Sequence, residues 1–192
     1  MNEFFRYRLT YEKTGAARYI GHLDLQNVFQ RAVRRAGIKP RYSEGFNPHV
    51  RLSFASPLAI GMDGFNELSD IDLAEELAVI DVVERLNMSF PDGLKAVECV
   101  RLDNTAKSAA SLVRRASYEM TFAVDMKEAV NKYEAREFVY ALEADGNVVR
   151  AVIACGGCGN LKPQVLAEEL CEIAGVEFEP YFIEYKRMEM FF

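Results

Sequence analysis

Residues 4–37 read FFRYRLTYEKTGAARYIGHLDLQNVFQRAVRRAG, and a change of period inside them decides the fold. At the start, Phe5, Tyr7, Leu9 and Tyr11 alternate with Arg6, Arg8 and Thr10, the period-two pattern of a strand with one buried face. Lys13 to Gly15 turns the chain. From about His22 to Ala36 the apolar residues Leu25, Val28, Phe29, Ala32 and Ala36 recur at three-and-four spacing, which predicts an amphipathic helix. Gly37 stands where a left-handed helix terminus belongs. Asp24 in the first turn and Arg34 and Arg35 in the last complement the helix dipole. The opposite face, Asp24, Asn27, Arg31, Arg34 and Arg35, is polar and mostly cationic.

Outward from this pair of elements, Pro40, Gly45 and Pro48 make residues 38–48 a loop, since Pro and Gly interrupt any regular element. Arg51 to Ala55 reads as a second strand, 56–66 as a turn-rich connection and Glu67 to Leu73 as a third strand, in which Leu68, Asp70 and Asp72 leave the alternation ambiguous. Glu75 to Asn87 carries Leu77, Ile80, Val83 and Leu86 on one helical stripe, Pro91-Asp92-Gly93 is a turn, and Leu94 to Leu102 is a fourth strand. The order strand, helix, strand, strand, helix, strand predicts an α+β fold with the split βαβ of the ferredoxin-like type. The polar, small-residue stretch Asp103 to Ala109 marks a boundary, giving domains 1–104 and 105–192.

The second half yields the same order: strand 118–124, a short helix 126–135, a hairpin of 137–142 and 147–154 around Asp145-Gly146, a helix 163–174 and a strand 178–188. A second ferredoxin-like half is therefore expected from element order alone, with no residue-level repeat behind it.

Composition bounds the function. The chain has 192 residues, 50% of them hydrophobic and only 6 prolines, enough apolar material for a folded core. Its apolar runs fall far short of the ~20 residues a membrane span needs, and the N-terminus lacks the layout of a signal peptide, so a cytoplasmic protein with no membrane partner is expected. Four cysteines are too few and too scattered for a disulfide scaffold. The net charge of −6 is unevenly spread. Residues 1–52 hold ten Lys/Arg against four Asp/Glu, a net of +6, which leaves −12 for the remainder. A basic segment in an acidic chain points to a localised anionic partner, or to a match with the chain's own acidic portion.

Three constellations are chemically capable. The first is the cationic helix with its loop: Arg31, Arg34 and Arg35 suit bidentate phosphate contacts, and Arg18, Arg41, Tyr42, Ser43, Phe46, Asn47 and His49 add bases, aromatics and polar groups able to grip and stack on unpaired RNA. The second is His22, Asp24 and His49, a His-x-Asp pair and a distant third group that could bind a metal or run acid–base catalysis on a nucleotide or RNA, although two residues two apart on a helix point about 200° from one another. The third is Cys155 and Cys158, a CxxC that can ligate metal or cycle redox; a closed zinc site needs four ligands, and the chain has no second CxxC. No P-loop, GxGxxG, HExxH or GxSxG is present, and neither a metal nor a cofactor of its own is expected.

The stretch GAARYIGHLDLQNVFQRAVRRAGIKPRYSEGFNPHVRLSFASPLAIGMDG, residues 15–64, closely resembles the hallmark of the radical SAM-linked proteins, also known as the DUF2344 domain family. Arg18, His22, Asp24, Arg31, Arg34, Arg35, Ser43, Gly45, Phe46, Asn47, Pro48, Ser53, Ala55, Pro57, Leu58 and Gly61 stand where that pattern has its typical residues. GNLKPQVL at 159–166 and the closing 184–187 resemble its C-terminal signature, whereas CGGC does not look like part of it. Members are encoded beside, or fused behind, a radical SAM protein, commonly near genes for ribosomal proteins and a ribonuclease. The resemblance implies a non-catalytic accessory subunit of a radical SAM enzyme, with RNA rather than DNA as the second partner, in tRNA or rRNA modification or ribosome-related metabolism. The chain lacks the CxxxCxxC spacing of the radical enzyme itself. The alternatives are a self-contained enzyme using His22, Asp24 and His49, and a protein-interaction module that docks an acidic partner.

Overall fold

In the computed structural model, strand β1 (Phe5–Lys13) buries Tyr7, Leu9, Tyr11 and Lys13 and turns Arg6, Arg8 and Thr10 the other way. Helix α1 (His22–Arg35) lays Leu25, Phe29, Ala32 and Val33 into the core. The alternation and the three-and-four stripe thus meet face to face. Phe29 is the centre of that packing, with ring centroids 5.0 Å from Tyr11, 5.0 Å from Phe54 and 4.8 Å from Phe90. Burial of such a side chain contributes about 1.5–3 kcal/mol, and edge-to-face aromatic pairs add to it.

The structure describes residues 3–134, 136–157 and 159–192. It is a mixed α+β protein with eight strands and five α-helices among them. The chain divides into two compact units, one ending at Leu112 and the other beginning at Val113.

The first unit continues with β2 (Leu52–Phe54), β3 (Asp63–Leu73), α2 (Val79–Asn87), β4 (Leu94–Leu102) and the single turn α3 (Ala109–Leu112). Strand β1 lies between β4 and β3, β2 pairs with β3, and all three pairings are antiparallel. Strands β1 and β2 therefore run parallel with β3 between them. The register sets Arg6 opposite Asp72 and Arg8 opposite Asp70, so the acidic residues that blur the alternation of β3 are cross-strand partners of the basic residues of β1.

Two boundaries depart from the sequence pattern for local reasons. Strand β3 begins at Asp63, four residues before the expected Glu67, because Lys13 pairs with Gly64 in the extended ladder. Helix α2 begins at Val79 rather than Glu75, because the preceding residues are strapped down. The Tyr7 hydroxyl donates to the Leu77 carbonyl (2.8 Å) and accepts from its N–H (2.9 Å), and Glu75 accepts the Lys39 N–H.

The segment Asp103 to Ala109 covers the polar face of the sheet. Arg6 donates to the Ala106 carbonyl, Arg8 to the Lys107 carbonyl, Asn104 to the Phe4 carbonyl, and the Ala109 N–H donates to Asp70 at 2.6 Å.

The second unit comprises β5 (Arg115–Thr121), α4 (Lys127–Lys132), β6 (Val139–Asp145), β7 (Val148–Ala154), α5 (Pro163–Ala174) and β8 (Glu184–Phe191). Its strand order, β8-β5-β7-β6, reproduces that of the first unit, again antiparallel throughout. Strands β6 and β7 form the hairpin expected around Asp145-Gly146, with Asp145 paired to Val148. The last strand starts later than the expected residue 178, since Pro180–Phe182 forms a 3₁₀ turn. Ala135, at the end of the expected 126–135 helix, lies outside the described residues.

Candidate nucleic-acid interface

The loop between α1 and β2 is an ordered hairpin, and the backbone of β3 explains why. Pro40 bridges Leu73, and the Arg41 N–H donates to the Asp72 carbonyl at 2.8 Å. The chain then leaves the sheet and returns through Arg51, whose carbonyl accepts the Asp72 N–H at 3.0 Å and whose N–H donates to the Arg41 carbonyl at 2.8 Å. Tyr42 bridges Val50. One rung further out, the Ser43 N–H donates to the His49 carbonyl at 2.7 Å, and the Ser43 hydroxyl replaces a backbone acceptor for the His49 N–H at 2.9 Å. Glu44 to Pro48 form the tip, which Gly45 turns at φ +120°, a region only glycine enters without strain. Phe46 is fully exposed there, beside exposed Asn47.

The structure separates the cationic residues singled out above into fixed and available groups. Arg18 is fixed: its guanidinium pairs with Asp63 at 2.8 Å and donates to the Gly15 carbonyl. Arg41 lies over the Phe4 ring, 4.1 Å from its centroid, and Arg35 donates to the Ser89 carbonyl at 2.6 Å while remaining exposed. Arg31 and Arg34 are exposed on α1 and have no ion-pair partner among the described residues. Of the ten basic residues in 1–52, Arg6, Arg8 and Arg18 pair with the largely buried Asp72, Asp70 and Asp63, Lys13 is 1% exposed, and Lys39 pairs with Glu75 while remaining at the surface.

His22 is half-buried, its ring edge-on to Phe54 at 5.6 Å, and Asp24 is exposed two residues on. Among the described residues no group of three or more His, Cys, Asp or Glu is placed to hold a metal ion, so His22, Asp24 and His49 make no metal triad. Cys155 is 1% exposed with the Arg187 guanidinium 3.9 Å from its sulfur, and Cys158 lies outside the described residues.

Beneath the hairpin is a cleft of about 280 Å³ that the sequence pattern did not reveal. The hairpin supplies Ser43, His49 and Arg51, β2 supplies Ser53, the sheet supplies Arg6, Asp70 and Asp72, and the covering segment supplies Ser108. Arg6 grips Asp72 through Nε (2.8 Å) and Nη2 (3.2 Å), and Arg8 grips Asp70 in the same way (2.7 and 3.2 Å). The Asp72 carboxylate raises the Arg6 guanidinium above its already high value, chiefly through these hydrogen bonds. The only sequence signal for this floor was the Arg-x-Arg of β1 against the Asp-x-Asp of β3. A wider cavity of about 440 Å³ lies in the second unit around Glu119, but that carboxylate is already shared between Arg150 and Lys186. Polar groups also line a cavity of about 390 Å³ at Glu76, Arg101, Asp103 and Asn104, but the cleft under the hairpin adjoins Ser43 and His49, residues the sequence had singled out.

The family model described as "Uncharacterized protein conserved in bacteria (DUF2344)" matches residues 6–151, from the first cleft arginine to the penultimate sheet strand. The chain belongs to the DUF2344 family. Within this DUF2344 chain the match contains α1, the hairpin and every residue lining the cleft. No curated protein matches it. Among solved structures it is similar to one titled as an unknown protein from Galdieria sulphuraria, at 13% identity and a TM-score of 0.31, over 99% of this chain and 100% of that one.

Proposed function

We propose that this DUF2344 chain is a non-catalytic, cytoplasmic RNA-binding partner that presents an RNA substrate to a radical SAM enzyme. The observation that carries the RNA half is the hairpin: a hydrogen-bonded stem holds a fully exposed Phe46 at its tip, where an unpaired base can stack on it. A large aromatic displayed to water gains no packing in the free chain, and Arg31 and Arg34 add phosphate-binding groups with no ion-pair partner among the described residues. The radical SAM half rests on the sequence resemblance.

Filter binding of total tRNA and rRNA at two salt concentrations tests the RNA half. Salt-sensitive binding that weakens with Phe46→Ala supports it, and no binding by the chain, alone or with its radical SAM partner, removes it. Co-purification with that enzyme in the absence of RNA would identify the hairpin as a protein-docking element instead.

A further inference from the structure

We infer that the cleft beneath the hairpin is a phosphate subsite, holding the phosphoryl group of the nucleotide whose base stacks on Phe46; the RNA reading above supplies the source of that nucleotide. A volume of about 280 Å³ accommodates a phosphate and its neighbouring sugar. The two carboxylates in the lining do not oppose an anion, because each is clamped by an arginine and each side chain is 6% exposed. What remains is the positive charge of Arg51, exposed and without an ion-pair partner among the described residues. Hydroxyls complete the set. Ser43 uses its oxygen to accept the His49 N–H, which leaves its own proton to donate, and Ser53 lines the same wall. A guanidinium with converging hydroxyl donors matches the trigonal oxygens of a phosphoryl group. Phe46 stands three residues from both Ser43 and His49, a separation of at most about 10 Å even for fully extended chain, within reach of one extended nucleotide.

The test uses the full chain and three probes: inorganic phosphate, AMP and a short single-stranded RNA lacking a terminal phosphate. Phosphate and AMP are followed by amide chemical shifts, and the RNA by fluorescence anisotropy. Arg51→Gln is expected to weaken all three about tenfold, the worth of a hydrogen bond to a charged group. Phe46→Ala is expected to weaken AMP and the RNA while leaving inorganic phosphate unchanged. If the chain binds phosphate and AMP through Arg51 but ignores the RNA both alone and with its radical SAM partner, the subsite stands with a free nucleotide as its source, and the RNA reading fails. If the RNA binds through Phe46 and is indifferent to Arg51→Gln, the RNA reading stands and the subsite is overturned. Failure of all three probes with the chain alone overturns the subsite, and failure of the RNA also in the presence of the radical SAM partner overturns both.

Discussion

Gly93 illustrates how a single position can be fixed by its neighbours. A Cβ there would sit 2.3 Å from the Thr14 carbonyl oxygen and 2.9 Å from the Ala17 Cβ, and the residue adopts φ +85°. The Thr14 N–H donates to the Gly93 carbonyl at 2.8 Å, so the two backbones cannot separate without breaking that bond. Gly93→Ala is expected to cost at least about 2 kcal/mol, read from the urea midpoint. Cys99, on β4 opposite Leu9, is a second case. Burial pushes its thiol up to about 12 from an ordinary 9.0, with Glu98 adding a smaller push in the same direction. The folded chain therefore holds this proton more tightly than the unfolded chain does. Its contribution is fully present below pH 9 and is lost as pH rises from 9 towards 12. Urea unfolding of the native chain should show that loss at alkaline pH, and Cys99→Ala should fall less steeply over the same window. An identical slope for the two proteins would rule Cys99 out as its source.

At the scale of elements, β1 and β3 are held by two kinds of interaction on opposite faces. One face is apolar and packs on α1; the other is the pair of cross-strand clamps Arg6–Asp72 and Arg8–Asp70. Removing one member of a largely buried pair strands its partner's charge, whereas removing both can be close to neutral. Asp70→Asn is expected to cost about 3 kcal/mol or more, since Asp70 also accepts the Ala109 N–H and so anchors the segment that covers the sheet. The double variant Arg8→Met/Asp70→Leu should recover part of that loss in a denaturation cycle; a purely additive result would mean that the clamp contributes no coupling. The hairpin behaves differently. Its tip rests on nothing, so Phe46→Ala should leave stability within about 0.5 kcal/mol of the parent while weakening RNA binding.

For the whole molecule, the overall charge of −6 is a poor guide to its partners. On α1 and the hairpin the exposed basic residues without an ion-pair partner among the described residues are Arg31, Arg34, Arg35 and Arg51, and binding there should depend on salt through these groups. Replacing both Arg31 and Arg34 with Gln is expected to reduce the slope of log K against log salt by about 0.7 for each RNA phosphate no longer neutralised. An unchanged slope would remove α1 from the interface. The sequence by itself determined the α+β class, the element order of both halves, the helix face of Leu25, Phe29 and Ala32 and the core face of β1, because periodicity is local and survives without knowledge of any partner strand. It also determined that the loop after α1 is punctuated by Pro40, Gly45 and Pro48. Only the tertiary structure decided which cations are paired within the fold. Arg18 and Arg31 are both arginines of one basic stretch, yet Asp63 takes the first and no carboxylate among the described residues takes the second. The same holds for the cleft: Arg6, Asp70, Arg51 and Ser108 lie on four separate segments, and pairing between residues so far apart is set by strand register, which no local pattern encodes.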